Sequence, residues 1–369
     1  MRLQMQNLIS VIMPAYNQAQ YISEAIESVL FQSHKLLELI IIDDGSEDQT
    51  AEICRQYAAQ DLRVIYHRQS RQGVSAARNR ALDSAKGQYI ALLDSDDRMK
   101  PGRLAKELQC LLQNEDIGVV YTAVQLIDEQ GAPLAVLAGE SLPKENFLPY
   151  MLFRNIVPGG PNALIKRSAI GRLRFNQYRQ HAEDYEFYLH LAEQTHFYYL
   201  NEPLTEYRRH AGNVSKRMAA HRTAELDIVT KFTADEIAQI LASAHLSSSQ
   251  KELLTGKIFY NREEWQVALS FLEPLSDPLA KWYKGNCYYK MGQFQQAEQQ
   301  YRQAIQEPLP EAWNNLGLVQ QQLGKSEKAI EAFKQAISLN SGYLDPQKNL
   351  IEPIYFTFKE LRRTLMPDS

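Results

Sequence analysis

Three carboxylates fall within four residues at Asp94-Ser95-Asp96-Asp97, directly after the apolar run Tyr89-Ile90-Ala91-Leu92-Leu93. Carboxylates this close repel one another, so the cluster favours a site where a positive charge lies among them. Oxygen ligands suit hard cations such as Mg²⁺ or Mn²⁺, which also bind substrate phosphates. The alternative is a solvated acidic turn that caps a helix before Pro101; the position after an apolar strand favours the metal site.

Two further polar segments follow apolar runs in the same way. Asp43 and Asp44 end the run Leu39-Ile40-Ile41-Ile42, and Pro14-Ala15-Tyr16-Asn17 ends the first run of the chain. A carboxylate in this position can accept a hydrogen bond from a nucleobase N–H or a ribose hydroxyl, and the Tyr16 ring can stack on a base. A turn with a helix cap, with Tyr16 as a packing residue, explains the same pattern, and both interpretations stay open.

Three later segments carry groups suited to phosphate binding and proton transfer. Gly73 to Asn79 opens a helix whose N-terminus attracts phosphate, and Arg78 one turn in can reach a diphosphate. Glu183-Asp184 begins another helix, where Asp184 can act as a general base, although the helix dipole alone explains an acidic first turn. His210 can bind a metal ion or a phosphate, or can be an ordinary surface histidine.

The elements around these residues alternate between strand and helix. Apolar β-prone runs occur at 8–13, 39–42, 64–66 and 89–93. Strands that are apolar on both faces are typical of a parallel sheet covered by helices. Such a sheet binds ligands at the carboxyl ends of its strands, where the polar clusters lie. The second half of the same α/β domain is predicted from β-prone pieces at 119–121, 197–200 and 205–208 and a helix from Glu183 to about Gln194.

The chain after about His221 is helical and repeats itself. Four residues recur 32 positions later, so that Gly285, Ala297, Tyr301 and Ala304 return as Gly317, Ala329, Phe333 and Ala336. Small residues suit close helix crossings, and a period of about 34 residues resembles the tetratricopeptide repeat. The predicted parts are an α/β domain at 1–220, a helical linker at 221–250 and a tetratricopeptide-like domain at 251–369, with a capping helix at 345–365.

In their order along the chain, these segments resemble the family 2 glycosyltransferases, which have the GT-A fold, a Rossmann-like α/β fold with a mostly parallel sheet. The resemblance extends from Leu8 to about Ser215. It rests on Ile9 to Asn17, Ile42 to Asp48, Gly73 to Asn79, Asp94 to Asp97, Glu183-Asp184 and Tyr207 to His210. Each segment alone is weakly specific, and the order of all six favours the family. Residues 131–160 have no counterpart in the family pattern, and we expect them to carry acceptor specificity.

The resemblance implies a reaction and a role for each residue. The reaction would be transfer of a sugar from a nucleotide-sugar, most simply a UDP-sugar, to a hydroxyl of a polysaccharide, a lipid-linked glycan or a protein. It would invert the anomeric carbon with the help of Mn²⁺ or Mg²⁺, and Asp184 would be the general base beside Glu183. The metal ligands would be Asp96, Asp97 and His210. The donor would be contacted by Pro14, Ala15, Tyr16, Asn17, Asp43, Asp44, Arg78, Asp94, Ser95 and Asp96, with Arg78 at the diphosphate.

Composition limits the partners and the compartment. The 369 residues carry 40 basic and 44 acidic side chains, and the net charge of -4 gives no argument for nucleic acid. The sequence predicts no transmembrane segment and no signal peptide, and its three scattered cysteines form neither a disulfide framework nor a zinc site. We therefore expect a cytoplasmic protein, with peripheral contact at the inner face of the membrane left open.

Two other functions compete with this interpretation. One is an interaction scaffold, in which the repeats bind a protein partner or a second copy of the chain and the α/β domain is inactive; the complete set of carboxylates argues against it. The other is a nucleotidyltransferase, which usually carries a glycine-rich basic loop after its first strand, unlike Pro14 to Gln18. Release of a nucleoside diphosphate, rather than of diphosphate, distinguishes the transferase from the latter.

Overall fold

The chain forms two compact units in a computed structural model that describes residues 7–210 and 218–351. The units are Met1–Thr233 with Ser243–His245, and Ala234–Ala242 with Leu246–Ser369. Every predicted site residue belongs to the first unit, and the repeats belong to the second. In the described ranges no helix is both long and apolar enough to span a lipid bilayer.

A sheet of nine described strands organises the first unit. The strands are β1 Ile9–Ala15, β2 Leu37–Asp43, β3 Val64–Arg68, β4 Tyr89–Leu92, β5 Arg98–Met99, β6 Ile117–Ile127, β7 Pro133–Leu137, β8 Ala163–Lys166 and β9 His196–Arg208. Their order is β3-β2-β1-β4-β8-β6-β9-β5, and β7 pairs with β6 beside this path. Strands β3, β2, β1 and β4 are parallel, β8 is antiparallel to both β4 and β6, and β6 is parallel to β9. The predicted α/β fold with a mostly parallel sheet is confirmed.

The helices of this unit follow from apolar spacing along the sequence. They are α1 Ile22–Leu30, α2 Thr50–Gln60, α3 Val74–Ser84, α4 Arg103–Gln113, α5 Lys144–Phe153, α6 Arg167–Ile170, α7 Glu183–Ala192 and α8 Met218–Val229. Helix α1 buries Ile22, Ala25, Ile26 and Val29, which lie on one face at the i, i+3, i+4, i+7 spacing. These side chains join the buried cluster formed by β1 and β2, whose residues are all buried. The two parallel strands are thus the centre of the core.

Parallel pairing brings the carboxyl ends of the central strands to one edge of the sheet. Ala15 at the end of β1 lies opposite Asp43 at the end of β2, and Ile12 lies opposite Leu92 of β4. The polar segments that follow these strands therefore emerge side by side, which is the arrangement that the sequence predicts for a binding site.

The structure differs from the sequence prediction in the last strand. The β-prone pieces at 197–200 and 205–208 belong to one strand, β9, which pairs in parallel with β6 along its length. The intervening residues include Pro203, which lacks the N–H that a regular ladder uses. Register shifts near Ala123 of β6 accommodate this segment, so the strand continues through residues that predict a break.

Paired helices make up the second unit. They are α9 Ala234–Ala242, α10 Ser248–Asn261, α11 Trp265–Leu272, α12 Pro278–Lys290, α13 Phe294–Ala304, α14 Pro310–Gln322, α15 Ser326–Leu339 and α16 Leu344–Ile351. A Cβ atom on Gly285 would lie 2.6 Å from the Tyr301 ring, and one on Gly317 would collide with the Phe333 ring. Glycine is thus required where each pair of helices crosses, as the repeat pattern predicts. Of the predicted capping helix, the residues after 351 lie outside the described range.

Candidate functional site

The acidic cluster follows β4 at the carboxyl edge of the sheet. One carboxylate oxygen from each of Asp94, Asp96 and Asp97 lies within 4.8 Å of the others, and Ser95 between them is buried. Burial, together with the charges of Asp96 and Asp94, raises the pKa of Asp97 well above its usual range. Burial also raises the pKa of Asp94 against the opposing effect of Arg78, and Asp96 adds to the rise. The protein thus holds three mutually repelling carboxylates in place.

Arg208, the last residue of β9, and His210, two residues later, contact this cluster. The backbone N–H of Arg208 donates to Asp97 Oδ1 at 2.9 Å, and its Nε donates to the backbone oxygen of Asp96 at 3.0 Å. The guanidinium also bonds to Glu24 of α1 at 2.7 Å and lies over the Tyr21 ring at 4.7 Å. His210 places Nε2 2.9 Å from Asp96 Oδ2. The predicted metal residues Asp96, Asp97 and His210 are therefore brought together.

The donor set of this cluster fits a hard divalent cation. Convergent carboxylate oxygens are the ligands that Mg²⁺ and Mn²⁺ prefer, and burial with the charges of Asp96 and Asp94 raises the pKa of Asp97 even though Arg208 opposes the rise. Residues Asp96 and Asp97 would hold such an ion, with His210 beside them. A bound cation of this kind would stabilise negative charge on substrate phosphates.

A buried arginine connects the cluster with the start of α7. Arg78 of α3 is 2% exposed, donates from one terminal nitrogen to Asp94 at 2.8 Å, and from the other to Glu183 at 2.7 Å. Burial alone would lower the pKa of Arg78, but Asp94 and Glu183 outweigh it and raise the pKa. The guanidinium also lies 5.3 Å from the centre of the Phe175 ring. Each of the two terminal nitrogens of the Arg78 guanidinium therefore donates to a carboxylate.

Asp184 is the second residue of α7 and is 9% exposed. Burial and the charge of Glu183 raise its pKa to about 6, although Arg78 and His221 act in the opposite direction. Ala182, just before the helix, has a φ of 58°, a left-handed conformation that is costly for alanine and recurs at functional sites. A buried carboxylate with a pKa near neutrality suits a general base.

A glycine turn packs against this carboxylate. Gly159 and Gly160 have φ values of 68° and 66°, and a Cβ atom on Gly160 would lie 3.3 Å from Asp184 Oδ2. The segment Pro158-Gly159-Gly160-Pro161 therefore lies directly beside the predicted base. Glycine at both positions is explained by the left-handed backbone and, at Gly160, by the close approach.

The carboxylates that follow β2 hold neighbouring loops. Asp43 is fully buried and accepts from the backbone N–H of Ser46 and from the Tyr66 hydroxyl, both at 2.8 Å. Asp44 accepts from the backbone N–H groups of Gln72 and Gly73 at 2.8 and 2.7 Å. Asp44 thus fixes the loop that leads into α3. These contacts add a structural role to the donor-binding role that the resemblance implies for both residues.

The segment after β1 forms the other wall of this region. Pro14 and Ala15 are buried strand residues, whereas Tyr16 is half-buried and Asn17 is exposed with a φ of 51°. Asn17 accepts from the backbone N–H of Glu47 at 2.8 Å. The guanidinium of Arg71 lies 4.0 Å from the centre of the Tyr16 ring and donates to its hydroxyl at 2.8 Å. Tyr16 therefore presents an aromatic ring partly covered by a cation.

The structure groups the predicted residues in two sets and adds others. One set lies around the end of β4 and the start of α7 and contains Arg78, Asp94, Ser95, Asp96, Asp97, Glu183, Asp184 and His210. The other surrounds the ends of β1 and β2 and contains Pro14, Ala15, Tyr16, Asn17, Asp43 and Asp44. Sequence reasoning missed Glu24, Tyr21 and Arg71. Glu24 is an ordinary charged residue on the exposed side of a predicted helix, so its sequence context gives no sign of a site. No sequence pattern indicates that Arg71 contacts Tyr16.

Comparison with known protein families gives two kinds of match. The family model described as Glycosyl transferase family 2 matches residues 10–174, which contain β1, β2, α3 and the acidic cluster. Tetratricopeptide repeat models match residues 278–307 and 310–343, which correspond to the helix pairs α12–α13 and α14–α15.

Curated relatives are similar over most of their own length. The putative teichuronic acid biosynthesis glycosyltransferase TuaG of Bacillus subtilis is 35% identical over 222 residues, which are 58% of this chain and 85% of that protein. Glycosyltransferase GlyG of Streptococcus pneumoniae is 31% identical over 227 residues, which are 58% of this chain and 74% of that protein. Both matches extend well beyond the six short segments.

A solved structure shares the fold. The crystal structure of S. aureus TarS 1–349 in complex with UDP-GlcNAc has a TM-score of 0.51 with this chain, at 16% identity, and covers 91% of this chain and 92% of that one. At this identity the likeness concerns the fold alone.

Proposed function

This chain belongs to glycosyltransferase family 2 and is a glycosyltransferase, and we propose that it transfers a sugar with inversion from a nucleotide-sugar to a hydroxyl acceptor. The observation that supports this most strongly is the Arg78 bridge. It joins the acidic cluster, which suits a metal-bound diphosphate, to the start of α7, where Asp184 lies. A cation site and a base site therefore share one buried side chain.

On the donor side, each residue has a role in the proposal. Asp96 and Asp97, with His210, would hold Mn²⁺ or Mg²⁺, which neutralises charge on the leaving diphosphate. The nucleoside would lie against Pro14, Ala15 and Tyr16, close to Asp43 and Asp44 at the end of β2. The Tyr16 ring is half-buried and already packs against the Arg71 guanidinium, which supports the proposal that a nucleobase stacks on it. Asn17, Asp94 and Ser95 complete the set predicted to line the donor.

Arg78 is predicted to face the diphosphate, and its contacts define how it would do so. Its terminal nitrogens already bond to Asp94 and Glu183, and its side chain is 3% exposed. We propose that it acts on the donor mainly by fixing Asp94 in the cluster, and on the base by fixing Glu183 beside Asp184. The positive charge also lowers the pKa of Asp184 against the stronger effect of burial.

On the acceptor side, Asp184 would remove the proton of the attacking hydroxyl. The acceptor oxygen would then form a bond to the anomeric carbon as the bond to the diphosphate breaks, and the proton would stay on the Asp184 carboxylate. A pKa of about 6 leaves Asp184 mostly ionised at neutral pH and still basic enough to accept a proton. Glu183, held by its bond to Arg78, would keep a negative charge beside Asp184, and this charge helps to raise the pKa of the base.

We propose as the acceptor a hydroxyl of a cell-surface polysaccharide, a lipid-linked glycan or a protein. The teichuronic acid enzyme among the relatives supports the first class. The repeats would bind a protein partner or a second copy of the chain, because tetratricopeptide repeats stack into extended surfaces. A location in the cytoplasm, with peripheral contact at the inner face of the membrane, stays a prediction.

A screen of nucleotide-sugars tests the proposal. The thermal midpoint of the full chain is measured with Mn²⁺ and a panel of UDP-, GDP- and dTDP-sugars, because a ligand that binds only the folded state raises the midpoint. UDP-GlcNAc is the first donor to test, since a structure of the same fold was determined with it. We expect one donor to stabilise the chain and to release a nucleoside diphosphate. Release of inorganic diphosphate from a nucleoside triphosphate would instead show a nucleotidyltransferase.

A further inference from the structure

An open pocket of about 440 Å³, lined mainly by residues of polar type, lies beside the base helix, within the first unit. One wall is the loop before α7, with Tyr178, Arg179 and His181, and the other is α8 with the residue Lys231 just after it. This volume is in the range of pockets that hold small molecules. The pocket contains no residue of the donor side or of the acidic cluster, so the proposed function leaves it unused.

Ion pairs and a hydrogen bond of Arg179 hold the two walls of this pocket together. Arg179 donates to Glu186 of α7 and to Asp227 of α8 at 2.7 and 2.8 Å, and to the backbone oxygen of Ala224 at 3.3 Å. The Arg179 side chain is 9% exposed. The start of the loop is fixed as well, because Asn79 exchanges two hydrogen bonds of 2.8 Å with the backbone of Phe175. These contacts fix the start of the loop and join it to α8.

Two segments that line the pocket also lead to the proposed base. His181 lines the pocket and precedes Asp184 by three residues, which limits the distance between their Cα atoms to about 11 Å. On α8, His221 lies near enough to Asp184 to lower its pKa. Ala224 and Asp227 follow His221 at three-residue spacing and line the pocket on the same face of the helix. One turn of α8 thus connects the base with the pocket.

We infer that this pocket binds a neutral sugar unit of the acceptor, an inference that rests on the proposed glycosyl transfer. Tyr178 is 99% exposed at the rim and offers a full aromatic face to the apolar side of a pyranose ring. The backbone N–H of Tyr178 donates to Asn176 Oδ1 at 3.1 Å, which fixes the main chain at this position, and the exposed ring is accessible to a ligand. The polar wall supplies groups for sugar hydroxyls.

The charges around the pocket favour a neutral occupant over an anionic one. The cations Arg179 and Lys231 face the carboxylates Glu186 and Asp227, with Lys231 Nζ 3.3 Å from Glu186 and 4.0 Å from Asp227. Two positive and two negative groups cancel, so a uronate or phosphate gains no net attraction from them. Hydroxyl groups need no such charge and bind through hydrogen bonds alone.

Saturation-transfer NMR on the full chain tests this inference. The probes are the neutral disaccharides cellobiose, chitobiose and maltose, and the anionic digalacturonic acid. We expect saturation of at least one neutral probe, and Tyr178→Ala should weaken its binding roughly three- to tenfold, as expected for the loss of one aromatic contact. Tyr198→Ala is the matched control, because Tyr198 is a 40% exposed tyrosine of β9 that does not line the pocket; it should leave binding unchanged.

The outcomes separate this inference from the proposed function. UDP binding with Mn²⁺ is measured in the same samples, and Tyr178→Ala should retain it, which also shows that the variant is folded. Absence of saturation for all neutral probes, an unchanged signal in Tyr178→Ala, or preference for digalacturonic acid would each overturn the inference. If the unmodified chain does not bind UDP, the proposed donor site is contradicted instead.

Discussion

Replacing Asp184 by asparagine should stabilise the folded first unit at neutral pH while abolishing transfer. Burial and Glu183 raise the pKa of Asp184 from 3.8 to about 6, which corresponds to a cost of about 3 kcal/mol for holding the ionised form in the folded state. Asparagine removes the charge and keeps an oxygen for the backbone N–H of Tyr185, which donates to Asp184 at 2.9 Å. Because the buried amide has its own desolvation cost, we expect a net gain of about 1–2 kcal/mol.

The sign of this effect depends on pH in a defined way. A raised pKa means that the folded state binds the proton more tightly than the unfolded state does. The favourable contribution of Asp184 is therefore complete below about pH 3.8 and is lost as the pH rises through about 6. Asparagine does not titrate, so the advantage of the variant in the free energy of unfolding should grow by about 1 kcal/mol between pH 5 and pH 7.5.

Urea unfolding followed by hydrogen exchange of β1 and β2 peptides measures this difference. The three tryptophans, Trp265, Trp282 and Trp313, all belong to the second unit, so their fluorescence is an internal control that should not change. Asp116→Asn is the control variant, because Lys144 lowers the pKa of this exposed carboxylate and its loss should not stabilise the protein. An Asp184→Asn variant that leaves the free energy of unfolding unchanged, or changes it by the same amount at pH 5 and at pH 7.5, would refute the argument. Transfer at a rate near that of the unmodified enzyme would show that Asp184 is not the base.

Three further predictions concern the acidic cluster, Arg78 and the repeats. Chelation by EDTA should weaken UDP binding at least about tenfold in calorimetry, since the cation would bridge the carboxylates and the diphosphate; equal affinities would exclude such bridging. Arg78→Met should destabilise the first unit by about 3–5 kcal/mol in the same unfolding assay, because Asp94 and Glu183 lose their buried partner, and a loss under about 1 kcal/mol would contradict this. Gly285→Val should lower the tryptophan-monitored stability by about 1–3 kcal/mol through its clash with Tyr301, and an unchanged midpoint would contradict the helix crossing.

The sheet could be predicted from sequence where burial is uniform. The runs that form β1 and β2 are apolar at nearly every position because both of their faces are covered, as in a parallel sheet between helices. Strand β7 shows the limit, since all five of its residues are exposed and its pairing with β6 leaves no signal of burial. Long-range pairing also carries β9 through Pro203, which local rules predict as a break. Tertiary contacts outweigh local propensity at these positions.

The site could be predicted in its residue types and order but not in its connections. The motif around Arg78 indicates a cationic group near phosphate, yet its partner Glu183 is 105 positions further along the chain. Likewise, the aspartates after β2 indicate a polar binding edge, and only the structure shows that Asp44 holds the backbone of Gln72 and Gly73. Spacing in sequence identifies side chains that share an element, whereas contacts between elements depend on how the whole sheet is assembled.

The charge balance of the connected site explains why these contacts matter for the reaction. Five carboxylates, those of Asp94, Asp96, Asp97, Glu183 and Asp184, lie near two arginines: Arg78 bonds to Asp94 and Glu183, and Arg208 lies beside Asp96 and Asp97. Arg78 bonds to only two of the five, and burial still raises the pKa of Asp94, Asp97 and Asp184. We propose that a divalent cation would offset this negative charge at Asp96 and Asp97, and that a proton from the acceptor would do so at Asp184. In this proposal the same excess of negative charge would favour both cation binding and proton uptake, the two events on which the proposed transfer of a sugar from a diphosphate depends.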